Sequence, residues 1–323
     1  MVIKMNMIVA KSSLSENKIF KYINKYKEAF LQCFFIVLIF ILATWRLDEI
    51  GQPIVLSDEY GYWANSSFFL GQDWSSLTSR IGYYSYGYSL LLIPIRVLQR
   101  AYDWAWGDMY GAAVILNAAM LSCGYLVATK ICKRYFDKQN WIIRNMVCFV
   151  AFTYTSNIFY AHLTMTETSI LFFFWLFLFV LMKVIDSPNM LNHAMLALVS
   201  VYLYTVHQRT IAILITAVII VIFQKLLNNS KLKDVAVFWY IMVMYLFIHS
   251  MIKYNLQNYF YMNGEPKTIP ELLSYALSVK NLLICIVGIV ILLFLFLIEK
   301  RKYKILFVVT VLTLVAGISV IVF

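Results

Sequence analysis

Charged residues are scarce in this chain. Only 13% of its 323 residues are Asp, Glu, Lys or Arg, whereas 62% are hydrophobic. An ordinary soluble domain carries close to a quarter charged residues, so this composition excludes that class. The sequence therefore predicts a polytopic transmembrane protein of the all-α class.

Potential metal ligands are also few. The five cysteines are Cys33, Cys123, Cys132, Cys148 and Cys285. They show neither the spacing of a metal site nor a disulfide framework, and the histidines show no pairing that would bind a metal. We also find no phosphate-binding glycine loop, nucleophile elbow or zinc signature, which disfavours ATP-driven transport. The sequence predicts neither a metal nor a cofactor.

The first residues contain no long apolar run. Residues 1–28 are polar and rich in lysine, and they lead into an apolar stretch from Phe30 to Thr44 without a small-residue cleavage site. This pattern predicts a signal anchor rather than a removable signal peptide. We therefore expect a cytoplasmic basic segment over 1–28 and a transmembrane domain over 29–323.

Apolar runs divide the rest of the chain into about nine membrane spans, because one crossing takes about 20 residues. The predicted spans are 29–47, 109–129, two within 145–184, two within 191–224, then 235–252, 281–298 and 305–323. The run 145–184 suits a tight hairpin with its turn at residues 164–167. The break at residues 207–210 favours two crossings over one tilted crossing within 191–224.

The net charge of +11 is explained by sidedness. An amino terminus in the cytoplasm places most of the 27 basic residues on the cytoplasmic side, as membrane proteins generally do. This arrangement removes the need for a nucleic-acid partner. It predicts a multi-pass cell-membrane protein whose candidate functional loops all lie on the extracytoplasmic face.

The polar loop over residues 48–108 is the longest of these. Ser57 can cap a helix whose first turn holds Asp58 and Glu59, and Gly71 is a natural stop for it. We expect the aromatic residues of this helix to press it against the membrane. The segment 83–98 is too short for a span, which predicts a second amphipathic helix in the interface plane.

The adjacent carboxylates Asp58 and Glu59 are the main catalytic candidates. A carboxylate partly removed from water can act as a general base and take a proton from a hydroxyl group. The pair is equally compatible with a simpler role, in which it only stabilises the amino-terminal end of a helix.

Glu167 is the second candidate acid. It lies at the tip of the predicted hairpin, with no lysine or arginine within 15 residues on either side. Ionisable residues at membrane depth are costly and tend to mark functional sites, so Glu167 is a candidate for orienting substrate. The alternative is a solvated turn residue.

Basic residues in the outer loops are candidates for binding a phosphate group. Arg209 is the first of them, because a guanidinium group matches the geometry of phosphate. Arg80 and Arg96 are further candidates, and His207 could assist. Arg209 could instead extend towards lipid headgroups, and His207 could be a hydrogen-bonded structural residue.

The order of these features resembles the GT-C membrane glycosyltransferases. The shared features are Asp58 and Glu59 in the first outer loop, an aromatic helix, a Tyr/Gly-rich interfacial segment, an acid at the tip of a later hairpin and a basic residue at the next outer turn. The branch that it resembles contains protein O-mannosyltransferases and the aminoarabinose transferases that modify lipid A.

The resemblance implies a function and a role for each residue. Asp58 would be the catalytic carboxylate, Glu59 its companion, Glu167 the second acid and Arg209 a ligand of the donor phosphate. The reaction would be inverting transfer of a sugar from a polyprenyl-phosphate donor to a hydroxyl group of a glycan, lipid or protein, with no obligatory metal.

Two other functional classes stay open at this point. A polysaccharide-lipid transporter or flippase would carry charged residues at mid-depth in several spans, and these spans are nearly free of them. A non-catalytic relative would bind the lipid-linked sugar without transferring it, and could act with a partner membrane subunit.

Overall fold

The chain is described here from a computed structural model, which covers residues 26–49, 56–74, 85–227, 229–262, 264–277 and 290. These residues form helices and connecting turns, and none of the ranges just given contains a β-strand. The predicted all-α class is confirmed for this part of the chain.

Eleven helices can be followed through these ranges. They are α1 (26–43), α2 (Leu56–Phe68), α3 (Gly87–Tyr102), α4 (Trp106–Tyr135), α5 (Trp141–Phe152), α6 (Thr155–Ala161), α7 (Thr166–Asp186), α8 (Met190–Val206), α9 (Ile211–Leu226), α10 (Leu232–Tyr261) and α11 (Ile269–Ala276). Two short 3₁₀ turns accompany them, at Leu47–Glu49 after α1 and at Gln208–Thr210 before α9.

Within the described ranges, five segments are long and apolar enough to cross a membrane. They are Tyr26–Glu49, Trp106–Tyr135, Thr166–Asp186, Gln208–Leu226 and Leu232–Tyr261. Two shorter apolar helices, α5 and α8, accompany them. The predicted spans 281–298 and 305–323 and the basic segment 1–25 lie outside the described residues, so the number of nine spans stays a prediction.

The hairpin predicted over 145–184 has an interrupted first arm. Helix α5 ends at Phe152 and α6 begins at Thr155. Two side chains bind carbonyl groups of the last turn of α5: Thr153 Oγ1 donates to Phe149 O over 2.9 Å, and Asn157 Nδ2 donates to Ala151 O over 2.9 Å. Because polar side chains satisfy these carbonyl groups, the chain can bend inside an apolar region.

The run over 191–224 forms two helices, as the break at residues 207–210 predicts. Helix α8 ends at Val206, and α9 starts at Ile211 after one 3₁₀ turn. Thr210 Oγ1 donates to His207 O over 2.8 Å, which closes this turn.

Two apolar clusters hold the long helices together. The larger cluster joins α7, α8, α9 and α10 through buried side chains such as Phe177, Leu203 and Phe238. The second joins α1, α4 and α5 through Ile39, Leu121 and Phe152. Since α4 also packs along α7, the two clusters form one bundle.

Helices α2 and α3 pack against each other and against one end of this bundle. Trp63 of α2 is fully buried, and its Nε1 donates to Thr164 Oγ1 over 3.1 Å. Phe68 packs on Tyr259 of α10, with ring centroids 4.9 Å apart. The expectation that the aromatic residues of α2 press it against the membrane is therefore wrong for Trp63, whose partners are protein groups.

Protein contacts also hold the chain at the start of α3, at Tyr86 just before the helix and at Tyr88 in its first turn. The hydroxyl groups of Tyr86 and Tyr88 bind His249 Nδ1 and Asn117 Oδ1, each over 3.0 Å, and both tyrosines are buried. The tyrosines at 83 and 84 lie outside the described residues. Protein contacts thus account for the placement of Tyr86 and Tyr88 in the predicted interfacial segment, whereas Val97 and Leu98 at its other end are exposed.

Candidate functional site

The two adjacent carboxylates of α2 occupy different environments. Asp58 is half-buried, whereas Glu59 has no exposed surface. Successive residues of an α-helix point about 100° apart, so one side chain can face the protein while the next faces its edge. The helix starts at Leu56, two residues earlier than predicted, so Ser57 lies inside it rather than capping it, and Ser57 Oγ donates to Asp58 Oδ1 over 3.2 Å.

Glu59 is held by three hydrogen bonds to one carboxylate oxygen. Its Oε2 accepts from the Tyr110 hydroxyl over 2.6 Å, from the Thr164 backbone N–H over 2.8 Å and from the Thr164 hydroxyl over 2.6 Å. A buried carboxylate is tolerated only when such donors replace water. Glu59 therefore links α2 to α4 and to the turn before α7.

A second buried group fixes the same turn. Asn117 Nδ2 of α4 donates to Leu163 O over 2.7 Å and to Ala161 O over 3.3 Å, and Asn117 Oδ1 accepts from Tyr88. Buried carbonyl groups that have lost their helical partner are thereby satisfied. The turn at residues 162–165 is thus held from α2, α3 and α4, and it sets the start of α7.

Glu167 lies two residues into α7, directly after this turn. Its Oε2 is buried and accepts no hydrogen bond from the described part of the chain. The carboxylate lies within electrostatic range of Asp58 and of Arg209. Asp58 of α2 and Arg209 of the turn before α9 therefore both lie near Glu167.

Tyr62 lies near both acids. It follows Asp58 by one helical turn, is 6% exposed, and makes a hydrogen bond with Thr166. Burial, with a smaller contribution from the negative charges of Glu167 and Asp58, raises the pKa of the Tyr62 phenol to about 12. The phenol is therefore neutral at physiological pH and can donate a hydrogen bond.

Arg209 and His207 share the 3₁₀ turn between α8 and α9. Arg209 is exposed, and its backbone N–H donates to His207 Nδ1 over 3.1 Å. Burial and the nearby Arg209 charge lower the pKa of His207, which favours the neutral ring that this bond requires. His207 thus shapes the turn that carries Arg209.

Gly87 sets how closely α3 approaches this turn. A Cβ atom at this position would lie 2.4 Å from Val206 N and 2.5 Å from Thr205 C. The Tyr202 hydroxyl also donates to Gly87 O over 2.9 Å. The glycine of the Tyr/Gly-rich segment therefore permits direct backbone contact between α3 and the end of α8.

The remaining predicted phosphate ligands are placed differently. Arg96 is buried, and its guanidinium group donates to Gln72 Oε1 and Gln99 Oε1 and lies over the Trp74 ring, 5.4 Å from its centroid. Burial lowers the pKa of Arg96, with Arg100 as a secondary cause. Arg96 therefore binds loop residues of its own chain. Arg80 lies outside the described residues.

Sequence reasoning missed Tyr62, Tyr110 and Thr164. The four-residue spacing from Asp58 to Tyr62 is a helical repeat and could have indicated Tyr62. Tyr110 and Thr164 carry no local signal, because they lie 51 and 105 residues from Glu59 in the sequence.

In the described ranges, no group of three or more His, Cys, Asp or Glu side chains is placed to hold a metal ion. In comparisons with known proteins, no family model, no curated protein and no solved structure matches this chain.

Proposed function

We propose that this protein is an inverting, GT-C-like glycosyltransferase. It would move a sugar from a polyprenyl-phosphate donor to a hydroxyl acceptor on the extracytoplasmic face of the cell membrane. The observation that carries the proposal is the proximity of Asp58, Glu167 and Arg209 at one end of an apolar helical bundle.

Each residue of this group suits one requirement of the reaction. The acceptor oxygen attacks the anomeric carbon of the donor sugar while the bond from that carbon to the phosphate oxygen breaks. Asp58 takes the proton of the acceptor hydroxyl as general base. Arg209 stabilises the negative charge on the departing polyprenyl phosphate, because its guanidinium group can donate two parallel hydrogen bonds.

Glu167 and Tyr62 suit the binding of sugar hydroxyl groups. The buried Oε2 of Glu167 has no donor in the described structure, and a sugar hydroxyl would supply one. The neutral phenol of Tyr62 lies near both acids and can donate a hydrogen bond. Glu59 has its donors inside the protein, so its part in this proposal is to position the turn that carries Glu167.

The substitution Asp58→Asn tests the base directly. It keeps the size of the side chain and removes its basicity, so we expect transfer to fall by about 10²- to 10⁴-fold. The measurement is release of polyprenyl phosphate by the purified full chain, with a panel of polyprenyl-phosphate sugars and short glycan acceptors. Glu167→Gln should reduce the rate less, by roughly 10- to 100-fold, because it removes one charged hydrogen-bond acceptor.

The control variant is Asp103→Asn, which removes an exposed carboxylate in the turn after α3. It should keep the native rate. If Asp58→Asn also keeps the native rate, Asp58 is not the base. If the wild-type chain binds a donor and releases no polyprenyl phosphate from any of them, the result favours the non-catalytic, sugar-binding alternative.

A further inference from the structure

A second cavity lies at the opposite end of α2 from Asp58. It has a volume of about 540 Å³, within the range of small-molecule sites. One wall is the loop that follows α2, residues 71–73, and the other is residues 264–266 after α10. None of the residues proposed for sugar transfer lines it.

The wall at residues 264–266 is fixed by one buried side chain. Asn258 Nδ2 donates to Glu265 O over 2.9 Å, and the Gly264 N–H donates to Asn258 O over 3.1 Å. A Cβ atom on Gly264 would lie 2.6 Å from Asn258 Nδ2, so a larger residue would displace the Asn258 side chain. This wall is therefore formed before any ligand arrives.

The wall at residues 71–73 is held from α3 and α10. Gln72 Oε1 accepts from the Arg96 guanidinium group, and Asp73 Oδ1 accepts from the Tyr259 hydroxyl. Gly71 has a φ of +72°, a conformation that favours glycine and turns the chain back after α2. A site with two pre-formed walls loses little entropy when it binds a ligand.

The lining combines aromatic, acidic and amide groups. Phe68 and Tyr259 supply the apolar surface, and Asp73 and Glu265 supply carboxylates. The described lining contains no lysine or arginine, so the cavity does not suit the phosphate of the donor. It suits a ligand that offers apolar C–H faces to aromatic rings and hydrogen-bond donors to carboxylates.

The side-chain amide of Gln72 favours a sugar over a cation as the ligand of this cavity. Its Oε1 is bound to Arg96, which leaves its Nε2 group as a donor towards a ligand. A sugar ring both donates and accepts hydrogen bonds, whereas an ammonium group only donates. We propose that this cavity binds a neutral sugar unit of a glycan.

The position of the cavity gives this site a role, which rests on the proposed function. Phe68 follows Asp58 by ten residues, or about 15 Å along the axis of α2. A glycan of several sugar units held here by one of them is long enough to reach Asp58; residues 61–67 of α2 are buried, so its path does not follow this helix. The acceptor would then be a glycan, rather than a lipid or a protein.

Binding can be measured without any transfer reaction. The probes are neutral tetrasaccharides of glucose, of galactose and of mannose, with tetralysine as the cationic counterpart, each added to the purified full chain and followed by saturation-transfer NMR. We expect at least one tetrasaccharide to bind. Its affinity should fall at least fivefold in Glu265→Gln and in Asp73→Asn, while Asp103→Asn should stay within twofold of the native value.

The outcomes separate this inference from the proposed reaction. Glu265 is exposed, so Glu265→Gln should fold normally. If no tetrasaccharide binds, if only tetralysine binds, or if Glu265→Gln binds as the wild type does, the inference is wrong. Asp58→Asn should bind the tetrasaccharide normally, so loss of transfer without loss of binding reports on the reaction alone.

Discussion

Glu59 and Glu167 both lie next to the turn at residues 162–165, yet their carboxylates have different hydrogen-bond surroundings. Glu59 has no exposed surface, and three donors surround its Oε2. The Oε2 of Glu167 is also buried and accepts no hydrogen bond from the described residues. The donors that reach Glu59 Oε2 belong to the fold, whereas Glu167, whose carboxylate also bonds to Thr166 and to its own backbone, keeps one oxygen, Oε2, that is available to a ligand.

The comparison extends to Asp58, which is adjacent to Glu59 in the sequence. The carboxylate of Glu59 fixes the turn at Thr164, and that turn determines where Glu167 stands relative to Asp58. One dipeptide therefore contributes both to the framework and to the proposed reaction. If Glu59 belongs to the framework and Asp58 and Glu167 take part in the reaction, substitution of Glu59 should lower stability, whereas substitution of Asp58 or Glu167 should lower the transfer rate.

The largest expected effect on stability is that of Glu59→Gln. The amide cannot accept all three hydrogen bonds, so at least one buried donor loses its partner and the remaining bonds lose their charge. We expect the free energy of unfolding to fall by about 3 kcal/mol. The measurement is denaturation of the purified chain in detergent, followed by tryptophan fluorescence.

Glu167→Gln is the matched control for this variant, because it makes the same chemical change on the other side of the turn. Its free energy of unfolding should stay the same or rise, since it removes charge from an oxygen without donors. Equal losses in the two variants would show that the two carboxylates do not differ in structural role.

Gly87→Ala should produce the next largest effect. The new Cβ atom would meet the backbone at Val206, 2.4 Å away, and a backbone cannot rotate aside as a side chain can. We expect a loss of about 2 kcal/mol and a displaced Arg209 turn, which would also reduce transfer.

The control for this substitution is Gly111→Ala on α4. A Cβ atom there would lie 3.9 Å from the Leu47 side chain, an ordinary contact distance. Alanine is the better helix former, so Gly111→Ala should be neutral or stabilising by up to about 1 kcal/mol. A loss in Gly111→Ala as large as that in Gly87→Ala would remove the argument for close backbone contact.

Much of the helical layout could be predicted from the sequence, because it depends on local composition. Apolar runs predicted α1, α4 and α10, and the polar break at residues 207–210 separated α8 from α9. The interruption between α5 and α6 was not predictable in this way. It depends on Thr153 and Asn157 binding nearby carbonyl groups, and these residue types also occur inside continuous helices.

The candidate site could be predicted only in part. Asp58, Glu167 and Arg209 were predicted as candidates because charges in polar turns between apolar runs are conspicuous. The burial of Glu59 and Trp63 was missed because both depend on Thr164, about a hundred residues later in the chain. Aromatic residues on a helix near a membrane suit either lipid or protein, and the sequence alone does not distinguish these partners.

The smallest effect at neutral pH concerns Tyr62, which lies near both acids, and it changes with pH. In the unfolded chain a tyrosine loses its proton near pH 10, whereas burial holds the pKa of Tyr62 at about 12. The fold therefore keeps the phenol neutral while the unfolded state ionises. The stability present below pH 10 should fall by about 1.4 kcal/mol per pH unit between pH 10 and 12.

Tyr62→Phe removes this part of the pH dependence. At pH 8 it should cost about 1 kcal/mol, because the hydrogen bond with Thr166 is lost. Between pH 10 and 11 the variant should lose less stability than the wild type, so the two denaturation midpoints should converge. Thr166→Val is the comparison variant: it removes this hydrogen bond and the one between Thr166 and Glu167, but it keeps the phenol and therefore keeps the pH dependence. Parallel losses in the wild type and Tyr62→Phe above pH 10 would mean that the phenol is not protected from water, and that the two acids face an open surface rather than a partly enclosed site.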